Sequence, residues 1–259
     1  MGKRLRNFFL PLLLLALILL IWQIFTYTEI IPKWFLSSPA ETLHTFWGLI
    51  TSGTLLKLLL YSFANLWPAF LLALVFSLIF GVILGVSNSA RQMFQPFLAG
   101  LMVLPTLAWL PLVIIFLGFT RQSIWTVIFI SGSVKMIYSV SGAVRGLNPN
   151  WLLVAENMGL SRIETIFKVI LPGALPQILS GVRIGFGSAW RSLIGAEMLM
   201  IAAGGLGKYI WMSQWAFKFD QVLSGVITIA AVGILMEQLV FKRIERAVLV
   251  RWGLSVGMK

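Results

Sequence analysis

The chain has 259 residues, of which 59% are hydrophobic and only 11% are charged, against about 25% charged in a typical soluble domain. This composition excludes a soluble globular protein and predicts an all-α polytopic membrane protein. The net charge of +12 would favour a nucleic-acid partner in a soluble protein, but here the cations are spread over short loops and tails, so we expect membrane lipid and no nucleic acid. Cysteine is absent and there is one histidine, His44, so we expect no disulfide and no metal site.

Apolar runs predict six transmembrane helices. The first covers residues 8 to about 26; basic residues precede it, and no small-residue cleavage site ends it, so it is expected to stay in the membrane. A mixed segment, 29–57, follows, with a short amphipathic helix expected at 41–50. The second span is predicted at about 62–86, with a kink at Pro68.

The third span, at about 94–119, has Pro105 and Pro111 in its middle, with Trp109 between them. Two prolines remove backbone donors and bend a helix, and such breaks are tolerated at membrane depth where they face protein or a water-filled cavity. A kink that serves packing and a break that lines a transport pathway are both compatible with these residues.

Residues 148–176 form the longest segment that does not resemble a span, between the fourth span at 123–144 and the fifth at 178–202. Asn148 is a helix cap, Gly159 suits a left-handed helix end, and Ser161 with Glu164 forms a capping box that restarts the helix. We expect two short helices with a sharp corner, the second ended by Pro172 and Pro176. Both a helix pair on the membrane surface and a docking element for a soluble partner fit this pattern.

Charged residues inside the spans are functional candidates, because each costs about 2.5–3.5 kcal/mol at the bilayer centre on insertion scales. Lys135 lies on the fourth span, and Arg183, Arg191 and Glu197 lie on the fifth. An anion path that uses Arg191 and Lys135 is one interpretation. The other is structural pairing, for example of Glu197 with Lys135 or Arg183. A seam of small residues on the fifth span is predicted to face the third span or a dimer axis: Gly181, Gly185, Ser188, Ser192 and Gly195.

A connector rich in Trp and Phe, 204–220, leads to the sixth span at 221–241 and a basic tail at 242–259. Six spans place both termini and the 148–176 segment on one side, which collects 12 Lys and Arg against five on the other. The excess of positive charge inside therefore predicts cytoplasmic termini. The expected domains are 1–61, an N-terminal span with an external segment; 62–241, a core of five spans with the loop at 148–176; and the tail, 242–259.

The 148–176 segment resembles the cytoplasmic coupling loop of ABC-importer permeases. The family pattern is Glu-Ala-Ala, three residues, Gly, nine residues, Ile, one residue, Leu-Pro; Ala155, Gly159 and Leu171-Pro172 match it, whereas Leu153, Val154 and Val169 depart from it. The run from Pro105 to Phe119 resembles the same region of nitrate, sulfonate and taurine ABC permeases.

This resemblance implies a type I ABC importer permease fold in a bacterial inner membrane. It implies a homodimer that works with two ATPase subunits and a periplasmic or lipid-anchored binding protein, and that carries a small anionic solute such as a sulfonate, taurine or nitrate. ATP and Mg would bind to the ATPase, and this chain would bind no cofactor. The residues expected to couple to the ATPase are Ala155, Glu156, Gly159, Ser161, Leu171 and Pro172. Those expected in the substrate pathway are Pro105, Trp109, Pro111, Lys135 and Arg191, with structural roles for Arg183 and Glu197.

Catalytic motifs are missing from the sequence, and the Gly-rich run at 204–209 lacks the first Gly and the Ser or Thr of a phosphate loop. The chain is therefore expected not to hydrolyse ATP. The alternatives are a stand-alone secondary transporter or channel that uses Glu197, and a membrane scaffold whose loop recruits a soluble enzyme.

Overall fold

The computed structural model describes residues 2–28, 35–200 and 204–251 of the chain. Every regular element among these residues is helical, as predicted. In chain order the elements are α1 Gly2–Tyr27, α2 Pro39–Thr51, α3 Thr54–Val86, α4 Asn88–Val103, a 3-10 turn Thr106–Trp109, α5 Leu110–Leu117, α6 Arg121–Arg145, α7 Pro149–Asn157, α8 Arg162–Thr165, a π-helical turn Ile166–Ile170, α9 Leu171–Leu199, α10 Gly205–Trp215, α11 Phe219–Leu235, a second π-helical turn Met236–Phe241 and α12 Lys242–Arg251.

Four helical segments of the described residues are long and apolar enough to cross a membrane: Thr54–Val86, Arg121–Arg145, Arg162–Leu199 and Phe219–Val248. A fifth crossing is possible if the bent pair Asn88–Val103 and Thr106–Leu117 is counted as one span. In α1 the stretch Ala16–Tyr27 is apolar but shorter. The predicted total of six is compatible with this count and stays a prediction.

The chain divides into two compact units. Met1–Tyr61 and Gly204–Ala230 form an amino-terminal unit, and Ser62–Ala203 and Ala231–Lys259 form a central unit. In the amino-terminal unit, Ser38 and Glu41 make the capping box that starts α2 at Pro39, so the short helix expected at 41–50 is present and begins two residues earlier. The hydroxyl of Ser224 on α11 donates to the carbonyl oxygen of Thr42 over 3.0 Å, and that of Thr45 donates to Asp220 over 2.6 Å, so α2 is tied to α11.

Three segments are more helical than the sequence suggested. Helix α3 begins at Thr54, not near residue 62, because Gly53, with φ +69°, lets the chain turn directly from α2 into α3. The mixed segment expected at 29–57 therefore ends earlier. Lys57 lies in the first turn of this long apolar helix, where its exposed side chain can keep the ammonium in water. The predicted connector 204–220 contains α10, and the part of the basic tail that the structure describes is the helix α12.

Helices α6 and α9 form the centre of the central unit and pack along most of their length. The small-residue seam of α9 makes this possible: Ser139 packs against Gly181, Met136 against Gly185, and Ser192 donates a hydrogen bond to Ser131. The seam thus packs mainly against α6, and it also faces the predicted third span at its carboxyl-terminal half. Gly195 contacts Leu107 there, and Ser188 and Ser192 line a cavity together with Pro105 and Thr106.

The third span is broken and not merely kinked, since α4 and the following helical segment meet at 100°. Leu104 has extended backbone angles, φ −71° and ψ 130°, as expected for a residue before a proline. Pro111, in contrast, lies in the first turn of α5, where its missing N–H needs no helical partner. One proline thus breaks the span and the other begins a new helix.

The prediction that Pro172 and Pro176 end the second short helix was wrong. Helix α8, the π-helical turn and α9 form one run, Arg162–Leu199. The π-helical turn Ile166–Ile170 widens the helix just before Pro172, which therefore falls in the first turn of α9, where its missing donor is tolerated. Pro176 lies inside α9 without ending it.

Candidate functional site

The corner between α7 and α8 is built as its sequence predicts. The Asn148 side chain accepts a hydrogen bond from the Asn150 N–H over 3.0 Å and caps α7. Gly159 has φ +71°, the left-handed conformation in which glycine is the favoured residue. The N–H of Leu160 donates to the carbonyl oxygen of Ala155 over 3.1 Å, as in a Schellman helix end. Ser161 and Glu164 form both halves of the capping box, so α8 starts at once.

The corner is anchored on one side and apolar on the other. Ala155 is buried, and Leu171 and Pro172 are half-buried at the start of α9. The outer surface, which includes Glu156, Gly159 and Ser161, is exposed. The exposed large apolar side chains of this segment are Trp151, Leu152, Leu153, Val154, Met158, Ile163 and Phe167. An exposed apolar patch of this extent is compatible with both roles expected from the sequence, a helix pair on the membrane surface and a docking element for a soluble partner.

A second candidate site lies at the broken third span. The break opens two adjoining cavities of about 290 and 210 Å³, and both are lined by Pro105, Thr106, Ser131 and Lys135. Trp109 lines the larger cavity, and Ser188, Arg191 and Ser192 line the smaller. We call this region the break cavity. It brings together four of the five predicted pathway residues. Pro111 is in the first turn of α5 and is not among the lining residues.

The two cations of the break cavity come from different helices. Lys135 Nζ on α6 donates to Ser188 Oγ on α9 over 2.6 Å, and Arg191 Nη2 donates to the same oxygen over 3.4 Å. Among the residues that the structure describes, no carboxylate lines this cavity or forms a salt bridge with either cation. The cavity therefore has a positive charge that its described side chains do not neutralise.

The two residues expected to have structural roles have partners other than those suggested. Arg183 Nε donates to Glu237 over 2.8 Å, and Arg183 Nη1 lies 3.4 Å from Glu245, which ties α9 to the second π-helical turn and to α12. Glu197 is fully buried and accepts a hydrogen bond from Ser62 Oγ over 2.9 Å. The suggested pairing of Glu197 with Lys135 or Arg183 was wrong.

Serines that the sequence analysis did not place in the pathway complete the break cavity. Ser131 precedes Lys135 by four positions on α6, and Ser188 precedes Arg191 by three positions on α9. Each serine therefore lies on the same helix face as the cation that follows it. Ser188 was noted only as part of the small-residue seam, although its spacing from Arg191 already indicated a shared face.

Comparisons with known proteins identify the family. Residues 73–248, about two thirds of the chain, match the protein family described as "binding-protein-dependent transport system inner membrane component". The chain belongs to this family. It is thus a permease-type component of an inner-membrane transport system, and the resemblance drawn from the 105–119 run and the coupling-loop pattern is confirmed.

Three relatives of the permease are named for anionic or sulfonate-bearing solutes. The taurine transport system permease protein TauC of Escherichia coli (strain K12) is 30% identical over 86% of this chain and 82% of its own length. A Bacillus subtilis (strain 168) protein named as a permease for aliphatic sulfonates, SsuC, is 32% identical over 97% and 90%. The nitrate import permease protein NrtB of a Synechocystis strain is 28% identical over 89% and 86%.

The fold is that of a type I ABC importer permease. A chain of the MetNI methionine ABC transporter, solved in inward-facing conformations, superposes with a TM-score of 0.64. The match covers 75% of this permease and 95% of that chain at 18% identity, and so supports the fold alone.

Proposed function

We propose that the permease is the transmembrane subunit of an ATP-driven importer for a small anion or a sulfonate-bearing solute. Two copies would form the translocation pathway, two ATPase subunits would bind ATP and Mg, and a periplasmic or lipid-anchored protein would deliver the solute. The chain itself would have no catalytic role. The family and the names of the relatives support this assignment.

The break cavity is the observation that carries the choice of an anion. Because the Ser188 oxygen already accepts hydrogen bonds from Lys135 and Arg191, its own O–H is directed elsewhere, and the remaining N–H groups of both cations are free to bind a ligand. Charged donors of this kind bind sulfonate, nitrate or carboxylate oxygens by charge-assisted hydrogen bonds. Two unneutralised cations on membrane-spanning helices are costly to keep unless an anion uses them.

The α7–α8 corner is the surface that we propose for the ATPase. Its capping motifs fix its shape, and its exposed apolar side chains need a partner outside the bilayer. The excess of positive charge on this side of the chain favours a cytoplasmic position for the corner and for both termini. Since α8 is continuous with α9 through the π-helical turn, movement of the corner would be transmitted directly to the helix that holds Arg191.

Uptake into proteoliposomes tests this proposal. The permease would be purified with its associated ATPase and binding protein and reconstituted, and uptake of radiolabelled taurine would be followed with sulfonates and nitrate as competitors. We expect ATP-dependent uptake that Lys135→Gln impairs and that Lys57→Gln, at an exposed position outside the break cavity, leaves unchanged. Equal uptake by Lys135→Gln and Lys57→Gln would overturn the anion pathway.

A further inference from the structure

A third cavity, lined in part by two arginines, lies at the other end of α6, away from the break. It has a volume of about 110 Å³, enough for several water molecules, and it lies between the end of α3, the start of α4 and the last turns of α6. We call it the α4–α6 pocket. Its polar lining consists of Arg91, Gln95, Tyr138, Ser141 and Arg145.

The two arginines of this pocket have no acidic partner among the described residues. The hydrogen bond described for Arg91 goes to the side-chain oxygen of Asn88, one turn away on α4. None of the lining residues is a carboxylate, and no salt bridge is formed by Arg91 or Arg145 within the described ranges. Two guanidinium groups, one amide and two hydroxyls thus line a small space that Leu84 and Leu98 also border, with Arg145 and Tyr138 exposed at its edge. The two positive charges are not neutralised by the described residues.

Snorkelling alone does not account for this arrangement. An arginine that only reaches for water at the membrane surface has no need of a lined cavity. Here Arg91 is half-buried, and the residue one turn further along α4 on the same face is Gln95. On α6, Tyr138 and Arg145 are seven positions apart and also share a face, so both helices turn polar side chains to the same space.

The chemistry of the pocket selects a tetrahedral oxyanion. A guanidinium group presents paired N–H donors that match two oxygens of a sulfate, sulfonate or phosphate, and two such groups can hold one anion from two sides. Hydroxyl and amide donors satisfy its remaining oxygens. A positively charged pocket between membrane helices is also the kind of site that binds phosphate in lipid head groups.

We propose that Arg91 and Arg145 bind a tetrahedral oxyanion group in the α4–α6 pocket, at a site separate from the break cavity. The group is either a soluble sulfate or sulfonate or the phosphate of an anionic lipid. The same face of α6 carries Ser131, Lys135, Tyr138 and Arg145, so a polar stripe joins the two cavities over about 15 Å between Lys135 and Arg145, at 1.5 Å per residue. The proposal does not depend on transport, since it concerns binding to arginines outside the break cavity.

Sulfate binding to the full-length permease tests the site directly. The Lys135→Gln/Arg191→Gln variant, whose break cavity is neutralised, would be placed in phosphatidylcholine nanodiscs and titrated with sodium sulfate by calorimetry at constant ionic strength. We expect sulfate to bind this variant and to bind at least tenfold more weakly once Arg91→Gln and Arg145→Gln are added. Arg243→Gln, at an exposed position on α12, is the matched control and leaves the affinity unchanged.

A parallel experiment distinguishes an anionic lipid from a soluble anion as the source of the bound oxyanion group. In nanodiscs that contain phosphatidylglycerol, native mass spectrometry counts the anionic lipids retained by each variant. If Arg91→Gln/Arg145→Gln loses one retained phosphatidylglycerol and Arg243→Gln does not, the site binds a lipid head group. If sulfate binding is weaker but lipid retention is unchanged, the site binds a soluble anion.

Lysine variants separate loss of binding from loss of folding. Arg91→Lys and Arg145→Lys keep the charge and remove the paired donors, so they are expected to weaken binding less than the glutamine variants while the protein stays folded. Unchanged sulfate affinity and unchanged lipid retention in both sets would overturn the proposal. Because the break cavity is neutralised throughout, failure of this site is distinguishable from failure of the transport proposal.

Discussion

Lys135 on α6 and Arg191 on α9 share one hydroxyl oxygen, that of Ser188, at 2.6 and 3.4 Å. Two like charges converge because the small-residue seam of α9 brings its backbone close to α6, at Gly185 above all. An incoming anion would relieve the repulsion between them. In the proposed function, this relationship links the packing of α6 on α9 to the selection of the solute.

Removing either cation should weaken anion transport without unfolding the permease. A hydrogen bond to a charged group contributes about 1.5–3 kcal/mol, which is roughly a 10- to 100-fold change in affinity. We therefore expect Lys135→Gln and Arg191→Gln each to raise the apparent KM for uptake by about this factor. Lys135→Arg, which keeps the charge, should be affected less. An unchanged KM in both glutamine variants would show that the cations do not contact the solute.

Gly159 should be needed for its backbone conformation and not for the space around it. No atom lies within 4 Å of a Cβ placed there, but φ is +71°. Left-handed geometry costs about 1–2 kcal/mol for ordinary residues, and asparagine tolerates it better than β-branched residues do. Gly159→Val should therefore reduce copurification of the ATPase, whereas Gly159→Asn should retain it. Quantitative immunoblotting of the purified complex measures both, and equal retention would contradict the role of the corner.

Close packing of α3 on α6 should make Gly81 sensitive to a single methyl group. A Cβ at Gly81 would lie 2.6 Å from the Cβ of Val140, a β-branched residue that cannot rotate away. Overpacking of this kind costs about 1–3 kcal/mol. Gly81→Ala should lower the thermal midpoint of the detergent-solubilised chain. Gly100→Ala is the matched control on α4, where no atom lies within 4 Å of the new Cβ, and it should leave the midpoint unchanged or higher.

Arg183 should be coupled to Glu237 and not to Glu197. The structure places Arg183 Nε 2.8 Å from a Glu237 oxygen, whereas the described hydrogen-bond donor of Glu197 is Ser62. Contacting charged residues show coupling energies of about 0.5–3 kcal/mol in double-mutant cycles. A cycle of Arg183→Gln with Glu237→Gln should give a coupling in this range, and a cycle with Glu197→Gln should give one near zero. A coupling near zero with Glu237 and a large one with Glu197 would contradict the pairing of Arg183 with Glu237.

The parts of the fold that depend only on residues adjacent in the sequence could be predicted from the sequence. The caps at Asn148 and Ser161 and the turn at Gly159 are local, and the structure confirms them. The break at Pro105 was expected, but its angle of 100° was not, because it depends on what the two halves pack against.

Contacts between distant residues were not predictable in this way. Glu237 lies 54 positions from Arg183, and periodicity carries no information about such a pair. The continuity of α8 with α9 was missed for a different reason. A proline usually ends a helix, but a π-helical turn ahead of Pro172 places it where a proline is tolerated.

The most direct test of the central claim is the energy source of transport. Proteoliposomes that contain the permease with its copurified ATPase and binding protein would be loaded with ATP or with a non-hydrolysable analogue, and uptake of taurine and nitrate would be measured with and without a proton or sodium gradient. The account predicts uptake that requires ATP hydrolysis and is indifferent to both gradients. Uptake without ATP that follows an ion gradient and is lost in Glu197→Gln would contradict it and would identify a stand-alone transporter.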